Sequence, residues 1–193
     1  IHWSYVELLL EWSPTVIVTH NALQDVLDRG IKIDVVLAQP ADASHLKEKL
    51  KHQSPIKLLL FDRADLLASA FIYLKDMNRK AVNVLADVYQ STVLDLIKEY
   101  AAVCQAVLFY NQQKWVFVQN GVFKKWVPLG TVFGVHPIVE PTYFQTEGCH
   151  QHLENEMYLA PFELTSKVAG KVKIQSNLKP FWLVETVSTD LYL

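Results

Sequence analysis

Cysteine is nearly absent from this chain, which has 2 among 193 residues, Cys104 and Cys149. A small secreted domain would carry a larger even set to staple itself, so both are read as reduced thiols and a cytoplasmic location is expected. Long apolar runs are also missing. The longest, such as Leu8–Leu10 and Leu58–Phe61, fall far short of the ~20 residues that a membrane helix needs. No basic n-region with an apolar h-region is present, so no signal peptide is expected. A surplus of charge is lacking too: 18 basic and 20 acidic side chains leave a net charge of −2. The aromatic residues are scattered without the Lys/Arg interleaving that single-strand binding uses, so nucleic acid is not expected as a partner. Neither G-x-S-x-G, nor a Walker A loop, nor G-x-G-x-x-G occurs, which removes the nucleophile-elbow hydrolases, P-loop kinases and dinucleotide oxidoreductases.

What is present is ample core material, 51% hydrophobic against 20% charged residues, enough to fold and not enough charge for disorder. The first half alternates between two periods. Tyr5–Trp12 has helical spacing and is stopped by Ser13-Pro14. Thr15–Thr19 reads as a short buried strand, and Asn21–Arg29 as a helix closed by Gly30. Asp34–Leu37 is a second strand and Ser44–Lys51 a helix ending before Pro55. Ile56–Phe61 is a third strand, Ala64–Lys75 a helix, Ala81–Leu85 a fourth strand and Ser91–Tyr100 a helix. Such alternation predicts a parallel sheet with crossover helices on both faces.

After about Ala102 only strand signals remain. Lys114–Gln119 and Val122–Trp126 flank Asn120-Gly121, which predicts a hairpin because both residues tolerate positive φ. Strands are also expected at Thr131–Ile138, Gly170–Gln175 and Phe181–Thr186, and the polar stretch from Pro137 to Pro161 as loops with one or two weak strands. The change of period places a boundary near Val103. Residues 1–103 are expected to form an α/β domain resembling nucleotide-binding domains, and 104–193 an all-β, sandwich-like domain. The sequence opens at Ile1, one turn ahead of a helical stretch, so a first strand or a tag is expected before it.

An α/β domain followed by a β-sandwich, at this length, resembles the thiamin pyrophosphokinases. Ala22–Asp34 resembles the family's helix ending in Gly-Ile-Lys-Pro-Asp, and Val35–Asp42 occupies the place of its strand and G-D-x-D-S. Phe61–Asp65 (F-D-R-A-D) sits where the family has K-D-x-T-D. Leu164–Lys167 (L-T-S-K), with Val172–Ile174 and Phe181–Glu185 after it, resembles the S-T-S-N segment and its following strands. The resemblance spans nearly the whole chain, with no single motif intact. It implies Mg2+ and ATP as cofactors, thiamin as substrate, and a homodimer, since the family binds thiamin between subunits. It marks Asp62 and Asp65 as catalytic, Asp34, Gln39, Asp42 and Asp87 along the nucleotide and metal edge, and Thr165 and Ser166 at the thiamin pyrimidine pocket.

The departures from the family fall on the chemistry. Pyrophosphoryl transfer needs divalent metal held by carboxylates, because both transferred and leaving groups are heavily anionic. Where the family has G-D-x-D, this chain reads Ala38-Gln39-Pro40-Ala41, with Asp42 one step late and so on the opposite face of an extended segment. The D-G-G-A-N turn has become Thr19-His20-Asn21-Ala22, and Asp87–Asp95 lacks the family's G-G-R-x-D-H. The survivors also have plainer readings. Asp62 and Asp65 would serve as caps for the helix starting near Ala64, Asp34 as a turn residue, and Thr165 and Ser166 as ordinary edge-strand residues. Glu147, Cys149, His150, His152, Glu154 and Glu156 lie within ten residues, and His150 and His152 would share a face if extended. Without a second spaced ligand pair, a solvated acidic loop is expected there. Two functional readings follow: an ATP-dependent thiamin pyrophosphokinase in which other acids replace the lost pair, or a degenerate relative that binds without phosphoryl transfer.

Overall fold

The structure is a computed structural model and describes residues 3–53, 55–87 and 91–187. Its contacts divide the chain into two compact units, Ser4–Lys80 and a second from Ala81 onward. The first unit begins with α1 (Trp3–Leu10), and Trp12 lies in solvent at 86% exposure ahead of Pro14. Strands β1 (Ile17–Thr19), β2 (Val35–Ala38) and β3 (Lys57–Leu60) then pair in parallel in the order β1-β2-β3. All four residues of β2 are buried, as in a central strand covered on both faces. Helices α2 (Leu23–Asp28), α3 (Ala43–Lys49) and α4 (Leu66–Asp76) supply the crossovers. Leu23, Leu46 and Leu50 meet Val18, Val36 and Ala38 in one core. Short 3-10 turns at His20–Ala22 and Pro40–Asp42 precede α2 and α3; α2 starts at Leu23 rather than Asn21, whereas α3 starts at Ala43, just ahead of the expected Ser44. Gly30, at φ +65°, closes α2 as expected, with its N–H on the Leu27 carbonyl.

In the second unit β4 (Ala81–Leu85), α5 (Ser91–Tyr100) and β5 (Gln105–Tyr110) form one more parallel crossover, and β4 pairs with β5. The contact boundary thus falls at Lys80/Ala81, whereas the change of period falls near Val103. Then come β6 (Gln113–Val118), β7 (Val122–Val127), β8 (Val132–Pro137), β9 (Thr142–Glu147), β10 (Glu154–Tyr158), β11 (Phe162–Thr165), β12 (Gly170–Ser176) and β13 (Phe181–Thr186). They make a six-stranded sheet, β11-β8-β13-β6-β5-β4, and a four-stranded one, β10-β9-β12-β7. Phe133, Leu164, Phe181 and Leu183 from the first sheet meet Val127, Phe144, Val172 and Ile174 from the second in a shared core. The chain is therefore an α/β part followed by a β-sandwich, as its periodicity implied.

One local expectation is corrected. Asn120-Gly121 does not close a hairpin: β6 pairs with β5 and β13, and β7 pairs with β12 in the other sheet. The turn instead carries the chain between sheets. Gly121 (φ +67°) packs so closely that a Cβ there would sit 2.2 Å from the Ser176 hydroxyl. The true hairpin turn is Asn111-Gln112, both at positive φ, joining β5 to β6. The polar stretch from Pro137 to Pro161, expected as loops with one or two weak strands, holds two, β9 and β10, and Thr142, Phe144 and Thr146 alternate inward along β9. Phe162–Thr165 forms a strand at the edge of its sheet, paired with β8.

Candidate functional site

Parallel pairing brings the C-terminal ends of β1, β2 and β3 to one edge, the place where open α/β sheets hold their ligands. The residues that leave that edge are His20, Gln39 and Phe61, with Asp42, Asp62 and Asp65 in the turns beyond. Asp42 Oδ2 lies 3.7 Å from His20 Nε2, and His20 Nδ1 is buried without a hydrogen-bond partner. Gln39 reaches the β3–α4 loop, its amide donating to the Arg63 carbonyl at 3.4 Å. Asp65 is the N-cap of α4, with Oδ1 accepting from the Ala68 N–H at 3.0 Å. Asp62 is exposed in the same loop.

The remaining acids stand elsewhere. Asp34 precedes β2, at the opposite edge of the sheet, where its carboxylate accepts from the Val16 N–H at 2.9 Å and pairs with Lys32 at 3.3 Å. It closes the entry to β1 and β2 rather than facing the edge with Gln39. Asp87 is exposed beyond β4, in the second unit. The stretch expected to replace G-G-R-x-D-H lies partly outside the described residues. Among the described residues no three His, Cys, Asp or Glu side chains stand close enough to share a metal. Asp34 at the far edge, Asp65 on a helix cap and Asp42 beside an imidazole thus do not together form the carboxylate set of a magnesium–phosphate centre.

In the sandwich, Ser166 is fully buried and its hydroxyl is used twice. It accepts from the Thr131 N–H at 2.8 Å and donates to the Pro128 carbonyl at 2.7 Å. The contacts of Thr165 are backbone ones, its N–H on Gln151 Oε1 (2.9 Å) and its carbonyl accepting from the His150 N–H (2.8 Å). His150 is exposed, and His152 pairs with Glu154 at 2.8 Å in a solvated segment. Cys149 is buried beside Ser166, and burial pushes its thiol up from the ordinary range. Glu147, by contrast, is held below the usual carboxylate range by its hydrogen bond to Lys173.

One charged cluster escaped the sequence reading. Glu185 shares the inward parity of Phe181 and Leu183 on β13, and its carboxylate is buried. Lys125 crosses from β7 to Glu185 Oε2 at 2.6 Å, and Lys114 lies beside Glu185 in register on β6. Oε1 has no partner, and burial, opposed by Glu185, holds the Lys114 ammonium below its usual range. The signal was available: period-2 parity alone puts Glu185 among core residues.

No family model matches the sequence, and no curated protein matches it. Solved structures do match. Thiamin pyrophosphokinase from Geobacillus thermodenitrificans superposes at a TM-score of 0.76 with 8% identity, over 93% of this chain and 91% of that one. The enzyme from Bacillus subtilis gives 0.72 at 9% identity, over 93% and 92%. That from Candida albicans gives 0.66 at 9% identity, over 89% and 81%. Over nearly its whole length, this chain has the fold of the thiamin pyrophosphokinases.

Proposed function

We propose that this chain is a thiamin pyrophosphokinase-like binding protein that has lost ATP-dependent pyrophosphoryl transfer. The observation carrying this reading is the edge built by His20, Gln39, Pro40 and Asp42. Its one acid within the β2–α3 turn faces an imidazole at 3.7 Å. Two phosphate groups in flight need several carboxylates around a divalent ion, and a glutamine and a proline cannot supply them. The α/β scaffold and sandwich are kept, which favours retention of a small ligand, thiamin or a related molecule, over loss of all binding. By the same resemblance the protein is proposed to be a cytoplasmic homodimer.

The whole-chain fold likeness favours the enzyme as the second reading, with Asp42, Asp62 and Asp87 as substitute acids for Mg·ATP. Calorimetry with thiamin and with Mg·ATP, followed by mass spectrometry for thiamin diphosphate and AMP, separates the two. Heat from thiamin without product is the expected result. Product formation would sink the degenerate reading, and neither heat nor product would remove thiamin as the ligand. Light scattering on the eluting protein tests the dimer.

A further inference from the structure

One end of the sandwich carries bulky apolar side chains where turn chemistry favours polar ones. The β7–β8 turn holds Leu129 at 65% exposure, the β11–β12 turn holds Val168 at 47%, and Trp126, at the end of β7, is 67% exposed. These turns are neighbours. Val127 pairs with Gly170, the Gly130 N–H donates to the Ser166 carbonyl at 3.1 Å, and the Ser166 N–H donates to the Thr131 carbonyl at 2.9 Å. With the Ser166 hydroxyl tied to both Thr131 and Pro128, the two turns form a single braced tip. Nothing in the core requires apolar residues at this tip, and each forfeits the gain of burial.

The surrounding charge is mainly positive. Lys171 is the cross-strand neighbour of Trp126, Lys124 lies two residues before it on the same face, and Lys167 adjoins Val168, all three exposed. Glu147 on that face bonds Lys173 at 2.9 Å and also feels Lys124 and Lys171, which leaves the lysines in excess. The chain as a whole carries −2, so this positive end is a local concentration.

We propose that this end docks on an anionic lipid surface, with Trp126, Leu129 and Val168 entering the boundary between headgroups and acyl chains and the three lysines facing the headgroups. Trp is suited to that boundary, having an apolar body and a polar N–H. Juxtaposed lysines gain from the negative potential of a lipid leaflet, and apolar protrusions supply the remainder. A second copy of the chain fits less well, because neither turn of the tip (128–131 and 166–169) offers an acid to the other copy's lysines. The association is peripheral: no helix among the described residues is long and apolar enough to cross a membrane.

The test is flotation of the intact protein with vesicles of phosphatidylcholine alone and of phosphatidylcholine mixed with phosphatidylserine. Binding is expected only to the mixed vesicles, weakening with salt, together with a blue shift of Trp emission that Trp126→Phe removes. The pair Leu129→Ser/Val168→Ser should weaken binding by about tenfold or more. Lys124→Glu/Lys171→Glu should abolish it while leaving the circular dichroism unchanged. Failure to float with anionic vesicles overturns the proposal, as does binding indifferent to both variants. It is equally overturned if light scattering finds a dimer that Leu129→Ser/Val168→Ser splits, since the patch would then join two copies.

Discussion

Replacing Ser166 with alanine separates a structural role from a ligand role at the residue where the family resemblance places the thiamin pocket. The hydroxyl is buried, donates to the Pro128 carbonyl and accepts from the Thr131 N–H, partners 38 and 35 residues away in sequence. Each bond contributes about 1 kcal/mol net, and the Thr131 N–H, left with only its long 3.4 Å bond to the Pro128 carbonyl in a half-buried turn, costs up to about 1 more. The expected loss is therefore about 2–3 kcal/mol. For a chain of 193 residues that corresponds to a fall in Tm of about 4–12 °C. Urea unfolding followed by Trp fluorescence gives the free energy, and an unchanged slope shows that the loss lies in the folded state. Thr165→Ala, whose contacts are backbone ones, should stay within about 0.5 kcal/mol. If Ser166→Ala costs less than about 0.5 kcal/mol yet removes the heat of thiamin binding, the hydroxyl serves a ligand and the bracing argument is wrong.

Three further outcomes follow from the geometry. Asp65→Ala should lose about 1 kcal/mol as a missing N-cap, with no change in any response to Mg2+; a magnesium-dependent stability present only in the parent would return Asp65 to a metal role. Lys125→Met leaves the Glu185 carboxylate buried beside only Lys114 and should cost about 3 kcal/mol, while Lys125→Met with Glu185→Leu recovers most of it; urea titrations showing additive losses would contradict this coupling. His136 packs at 5.2 Å from Trp115, and burial holds its imidazole below the ordinary range. The unfolded chain therefore binds that proton more readily, so this contribution to stability is complete above about pH 6.5 and is lost as pH falls below it. His136→Gln should flatten that acid limb, and an unaltered pH profile would show that another group sets it.

Much of the architecture was legible because it is written in local period. The alternation through Tyr100 marked every strand and helix of the α/β part, and the capping residues Gly30 and Asp65 act as their chemistry suggests. The polar stretch around β9 gave only a weak strand signal because its inward residues include threonines. Thr142 and Thr146 satisfy their hydroxyls on the Val139 and Gln151 carbonyls, and this lets polar side chains occupy core positions. At the candidate site, the sequence exposed the exchange of G-D-x-D for Ala-Gln-Pro-Ala. It did not reveal that Asp34 lies at the wrong edge, because that depends on strand direction within the assembled sheet.

From sequence alone came the order of an α/β part and a β part, the absence of the common catalytic motifs, and the lack of acids at Ala38–Ala41, where the resembled family carries them. Each is a property of neighbours along the chain, set by backbone period and side-chain type. Tertiary structure decided which sheet each strand joined, that Asn120-Gly121 crosses between sheets, that Ser166 braces two turns, and that Lys125 meets Glu185 across the sandwich. Those outcomes depend on contacts between residues tens of positions apart, where the gain from burial and hydrogen bonding outweighs the entropy of closing the loop, and no local pattern records that balance.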